Sequence, residues 1–233
     1  MKPSDRAGRR AFLQGTGGTL TLFAMASQLA PAADAATTAA RPSQRDPAHL
    51  QGFLREMEAK ASQYWSVPRQ DGEFLHFLVK ATRSRHVLEI GTSHGYSAIW
   101  IGLALEETGG YLTTIEIDPA RYDLARRHVA TAGLSSRVTL LRGDAHGEVG
   151  RLGGPFDFVF LDADKEGQVD YFHALHPRKL APGAIIAAHN AIRQAGAMRE
   201  YLALVRNHRD FDTVTVSATM DDGFCLSYRR RAA

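Results

Sequence analysis

The sequence predicts an α/β fold: a doubly wound, mainly parallel sheet with helices on both faces and an antiparallel hairpin at its C-terminal edge. Three observations carry this expectation. Five short apolar runs recur between residues 86 and 188, with helical periodicity in the stretches between them. Polar residues and glycines follow each run directly, as they do where the strands of such a sheet end in loops. Asp212–Ala218 and Phe224–Arg229 flank Asp221-Asp222-Gly223, which reads as a hairpin.

In chain order, residues 1–35 stand apart from the fold. Arg9-Arg10-Ala11-Phe12-Leu13-Gln14 resembles a twin-arginine export motif, an uncharged stretch follows, and Ala33-Asp34-Ala35 is a small-x-small cleavage pattern. Gly17-Gly18, Ser27, Gln28 and Pro31 interrupt the apolar stretch, so it makes a poor membrane span. Residues 36–46 read as a linker, and 47–233 as one domain. The leader implies a periplasmic or secreted protein, and a cytoplasmic one if the signal is not used.

Leu50, Phe53, Leu54 and Met57 repeat at helical spacing, which predicts a helix over 47–63. Asp71 to Thr82 is a second. The strands are His86–Ile90, Tyr111–Ile115, Val138–Leu141, Phe156–Leu161 and Ala184–Ala188. The helices between and after them are Tyr96–Glu107, Pro119–Ala132, Val169–Leu180 and Ala195–Asn207.

Composition narrows the function. The net charge is +3, and two of those three charges come from residues 1–35. The nearly neutral body lacks the clustered basic face of a nucleic-acid binder. One cysteine, Cys225, allows no internal disulfide and reads as a small buried residue.

Chemistry belongs at the strand ends. Glu89-Ile90-Gly91-Thr92-Ser93-His94-Gly95-Tyr96-Ser97 leaves a strand and opens a helix, whose first amides can hold a carboxylate. The glycine spacing is G-x-x-x-G, which disfavours the G-x-G-x-x-G dinucleotide fingerprint and hydride transfer. Glu116 ends the second strand, where an acid can accept ribose hydroxyls. Gly143-Asp144-Ala145 follows the third, where an aspartate can accept an adenine amino group.

With Val67-Pro68, Gly72-Glu73-Phe74-Leu75, Ile115-Glu116-Ile117-Asp118, Phe156-Asp157 and Leu161-Asp162-Ala163-Asp164-Lys165, the chain over about residues 60–230 resembles class I S-adenosylmethionine (SAM)-dependent methyltransferases. More narrowly it is similar to the catechol and caffeoyl-coenzyme A O-methyltransferase family. The resemblance implies a Rossmann-like fold with SAM as cofactor. It places Glu89, Gly91, Gly95 and Ser97 around the methionine part, Glu116 at the ribose, and Asp144 with Ala145 at the adenine. Related enzymes are often homodimers, though nothing in the sequence demands one.

The implied acceptor is a small hydroxylated, aromatic molecule. A free phenol has a pKa near 10, so about one in a thousand is ionised at pH 7. In the resembled family a metal lowers that pKa and a lysine acts as base. Asp162, Lys165 and Asn190 match those positions, but His189 stands where the family has an aspartate. Three readings of His189 stay open. It completes a metal site with Asp162 and Asn190, shifted from Mg²⁺ toward Mn²⁺, Fe²⁺, Co²⁺ or Zn²⁺. It replaces the metal and takes the acceptor's proton itself. Or it caps the next helix. The first two put Asp162, Lys165 and His189 in catalysis, and all three place His189 in the cleft. Asp164 is expected to face solvent or cap a helix and His94 to be exposed; Tyr64, Trp65 and Trp100 could pack an aromatic substrate, with core or interface packing the ordinary expectation for such residues. Gln168, where the family has a tyrosine, implies a different acceptor pocket. SAM is made in the cytoplasm, which conflicts with export; an exported protein that binds SAM-like or other ligands without turnover is the alternative.

Overall fold

A computed structural model describes residues 46–217 and 221–231. The expected leader (1–35) and all but the last residue of the linker (36–46) lie outside the described residues.

Among the described residues, seven strands form one sheet in the order β3-β2-β1-β4-β5-β7-β6. β1 (His86–Ile90), β2 (Tyr111–Glu116), β3 (Val138–Arg142), β4 (Phe156–Leu161) and β5 (Leu180–His189) run parallel. β6 (Phe211–Val216) and β7 (Phe224–Arg229) pair antiparallel, and β7 joins the sheet antiparallel to β5. The expected fold is the observed one, hairpin edge included.

Alternation along the strands divides the core in two. Val87, Leu112, Phe158 and Phe160 point to one face, under α1 (Pro47–Glu58), α3 (Arg69–Ala81), α4 (Tyr96–Thr108) and α5 (Pro119–Thr131). Leu88, Ile115, Val159 and Leu161 point to the other, under α6 (Ala145–Arg151), α7 (Gln168–Leu175) and α8 (Arg199–Asn207). Both faces of the central strands are dry, which is why their sequences read as continuous apolar runs.

The elements differ from expectation where tertiary contacts or breakers intervene. The helix expected over 47–63 is split into α1 and a single turn, α2 (Ala61–Tyr64). Glu58, at the end of α1, is held by the Tyr96 hydroxyl at 2.6 Å and Arg69 Nη1 at 3.2 Å. Trp65 then ends α2 in the left-handed region, at φ 51°. α7 stops at Leu175, five residues early, because His176 precedes Pro177. α8 starts at Arg199, not Ala195. β5 begins four residues early, at Leu180, which pairs with Phe156. α6 was not expected: its two glycines mask a helix that Asp144 caps, accepting from His146 N–H at 3.0 Å. Among the described residues no helix is long and apolar enough to cross a membrane.

Candidate active site

A cavity of about 710 Å³ opens beyond the carboxyl ends of the parallel strands. Its wall includes Gly91, Ser97, Glu116, Asp144, Ala145, Asp162, Lys165 and Asn190. Eight of the eleven residues singled out for the site therefore share one cavity. Glu89, Gly95 and His189 are not on its wall. They lie just behind it.

The β1–α4 loop forms one side. Gly91 has φ +99°, and a Cβ there would meet the Asp162 carbonyl oxygen at 2.5 Å. Only glycine lets this loop cross so close to the end of β4. Gly95, at φ 91°, caps α4 without a side-chain hydrogen bond, so the first amides of α4 are left for a ligand. Beneath the loop Glu89 is fully buried, with Oε2 accepting from the Thr114 hydroxyl at 2.5 Å and Oε1 without a hydrogen-bond partner. Burial pushes its carboxyl up to about 8.

Glu116 closes the end of β2. Oε2 accepts from Ser93 N–H at 2.7 Å and Oε1 from Asp118 N–H at 2.9 Å, which fixes the carboxylate while each oxygen keeps a lone pair for a ligand. Asp144 and Ala145, at the start of α6, face it across the cavity wall.

The fourth and fifth strand ends carry a chain of charges. Lys165 Nζ donates to Asp162 Oδ1 at 2.8 Å. His189 Nδ1 lies 3.2 Å from the same oxygen, and His189 Nε2 lies 2.7 Å from Asp71 Oδ2. Asp71, on the first turn of α3, is fully buried. Burial alone would lower the pKa of His189 and raise that of Asp162, but the opposite charges win: His189 rises to about 9 and Asp162 falls, the latter chiefly through Lys165.

These contacts decide whether a metal fits Asp162, His189 and Asn190. Both ring nitrogens of His189 meet carboxylates. Asp162 Oδ1 already holds an ammonium and the ring. The Asn190 amide nitrogen is turned to Asp222 Oδ1 at 3.1 Å, which Arg193 also approaches at 3.4 Å. Asp71, His189 and Asp222 lie close enough together for an ion, but their shortest contact is the His189–Asp71 hydrogen bond itself. The His189 ring and the Lys165 amine sit between and beside the Asp71 and Asp162 carboxylates, so each carboxylate already has a donor partner without an ion. The donor set does not fit a divalent cation.

Several expectations need correction. His189 is not a cleft residue; its side chain is 4% exposed and reaches the cavity only through Asp162. His94 is buried, not exposed, and stacks on Tyr64 at 4.8 Å; burial lowers its pKa to about 4. Asp164 is exposed, as expected, and it also lines the cavity and accepts from the Tyr171 hydroxyl at 2.5 Å. Tyr64 and Trp65 also line the cavity, and Trp65 is 77% exposed with the Arg121 guanidinium 4.4 Å from its ring centroid. Trp100 packs in the core, as expected. Sequence reasoning missed Asp71, Arg121 and Tyr171. No motif marks them, since each reaches the site from a different helix. Asp71 had one usable signal, an acid on the first turn of an otherwise amphipathic helix.

Comparison with known proteins agrees with this architecture. The O-methyltransferase family model matches residues 40–216. A catechol O-methyltransferase of Mycobacterium tuberculosis is 36% identical over 200 residues, covering 79% of this chain and 90% of that protein. The cofactor-bound structure of Rv0187 from MTB is 33% identical, with a TM-score of 0.71 over 80% of this chain and 92% of that one. An O-methyltransferase of Bacillus cereus solved in complex with SAH, 27% identical, gives a TM-score of 0.69 over 81% and 93%.

Proposed function

The chain belongs to the O-methyltransferase family, and from that premise we propose that it moves a methyl group from SAM to a hydroxyl of a small aromatic acceptor of catechol or phenol type. The observation that carries this reading is the single cavity in which the β1–α4 loop, Glu116 and Asp144 face Lys165 and Asp162. The M. tuberculosis relative named for catechol supports the acceptor class.

When bound, SAM supplies an activated methyl on a sulfonium, so the protein's tasks are placement and proton handling. Gly91, Ser97 and the first amides of α4 form the cradle for its methionine part, with Glu89 and Gly95 shaping that cradle from behind. Glu116 takes the ribose, and Asp144 with Ala145 take the adenine. Trp65 and Tyr64 at the mouth offer aromatic surface to the acceptor ring.

The acceptor hydroxyl meets Lys165, a cation on the wall beside Asp162. Asp162 fixes its ammonium at 2.8 Å, and an ammonium beside a phenol favours the phenolate. The phenol's O–H bond breaks and its proton passes to water at the open mouth, leaving the negative oxygen beside the Lys165 ammonium. His189 acts behind Asp162. No step runs through a divalent cation, because the donor set does not fit one.

We also read residues 1–35 as an export leader, on the order of its three features; if it is not used, the protein is cytoplasmic, where SAM is made.

Calorimetric titration of the full chain with SAM, followed by assay of S-adenosylhomocysteine (SAH) formation with catechol, tests the reading. Micromolar binding and turnover are expected. Folded protein that binds no SAM would refute it.

A further inference from the structure

Asp71 and His189 are 118 positions apart, yet they form one buried pair behind the cavity wall. The pair is built rather than incidental. Asp71 is 0% exposed and His189 3%, and Phe160 and Phe224 pack around the ring at 6.2 and 5.1 Å between centroids. A carboxylate only accepts, so a ring lying between two carboxylates donates from both nitrogens. His189 therefore bridges Asp71 and Asp162, and Asp162 in turn holds Lys165.

We propose that the Asp71–His189 pair takes the place of a divalent cation beside Asp162, so that this enzyme holds its acceptor without a metal ion, with Asp71 as the positioning residue for His189. The inference rests on the methyl-transfer reading above. An ion in that place would do two things. It would fix the Asp162 carboxylate and put positive charge near the acceptor oxygen. Here the His189 ring does the first, from a direction that Asp71 sets. Lys165 does the second, because Asp162, fixed from behind, aims the ammonium into the cavity. Asp71 touches neither acceptor nor cofactor. It acts by stopping the ring from rotating, which would release Asp162.

Next to it, Asn190 donates its amide nitrogen to Asp222, and its backbone holds φ 63°.

The test uses the full chain. With SAH bound, Mg²⁺ and Mn²⁺ are titrated by calorimetry. The expected result is no binding up to millimolar concentration and turnover unchanged by EDTA. Stoichiometric micromolar binding, or activity lost to EDTA and restored by the metal, overturns the proposal. The paired variant Asp71→Asn with His189→Asp restores two carboxylates and an amide around the position. It is expected to bind Mg²⁺ at least tenfold tighter than the wild type, and unchanged weak binding overturns the idea that His189 excludes the ion. Asp71→Asn alone is expected to lower kcat about tenfold or more, the usual scale for losing a residue that orients a ligand. The SAH affinity and the acceptor KM should stay put in a protein with the wild-type fold by circular dichroism. Unchanged kcat there removes Asp71 from its role. If SAH binds and no phenol is methylated, the function reading fails, while the metal titrations still decide the proposal.

Discussion

Gly91→Ala tests the geometry of the cofactor loop most directly. The new Cβ would sit 2.5 Å from the Asp162 carbonyl oxygen, 2.7 Å from its carbon and 2.9 Å from the Ala163 nitrogen. All three are backbone atoms at the end of β4, so no side chain can swing away. The φ of +99° adds its own strain, about 1–2 kcal/mol for a residue with a Cβ. Forcing apart two packed segments adds about 1–3 kcal/mol. Together these make a loss of about 2–5 kcal/mol, or roughly 5–15 °C in Tm for a domain of this size. The displaced loop also pulls the α4 amides off the ligand, so SAH affinity should fall at least tenfold. Gly147→Ala is the control: it lies inside α6 with nothing within 4 Å of its Cβ, and should gain up to about 1 kcal/mol. Scanning calorimetry and SAH titration of both variants decide the matter. A Gly91→Ala protein that melts and binds SAH like the wild type would refute the reasoning.

Other predictions follow from the same site. Glu89, held near 8 in the folded protein against 4.5 for the free group, keeps a proton that the unfolded chain releases, so its contribution is full below about pH 4.5 and lost as pH rises through 8. Glu89→Gln should therefore melt higher than the wild type at pH 9, by a margin that vanishes near pH 5; a margin independent of pH would count against a buried proton. Asp162→Ala should abolish turnover, because it releases both Lys165 and His189; full activity would take Asp162 out of the site. Trp65→Ala should raise the acceptor KM about fivefold with SAM affinity nearly unchanged, since it removes exposed aromatic surface at the mouth worth about 1 kcal/mol; an unchanged KM would show that the acceptor binds elsewhere. Fused to an export-dependent reporter, residues 1–35 should carry it out of the cytoplasm, and replacing Arg9 and Arg10 by Lys should stop it; a reporter that stays inside in both forms would refute the leader.

The strands and the glycine loop after β1 were legible in the sequence because each is a local signal. An apolar run buried on both faces, as in Phe158–Leu161, needs no distant partner to be recognised. Gly91, Glu116 and Asp144 each sit just past such a run, and a parallel sheet brings every strand end to one edge. The position of Asp162, Lys165 and Asn190 on one cavity follows from the same rule. Helix limits were less legible where a tertiary contact sets them, as Tyr96 and Arg69 do at Glu58.

What the sequence could not determine was the meaning of His189. From its neighbours alone it is an imidazole in an oxygen site, open to metal binding, proton transfer or capping. The tertiary structure adds the partner the neighbours lack, bringing Asp71 from α3 to its far nitrogen at 2.7 Å. That contact arises from the packing of a helix across the sheet edge, not from any spacing along the chain. The glycine loop after β1 is written in consecutive residues. The charge balance beside the acceptor exists only once four side chains from three separate segments are buried together, because desolvation makes their pairing obligatory.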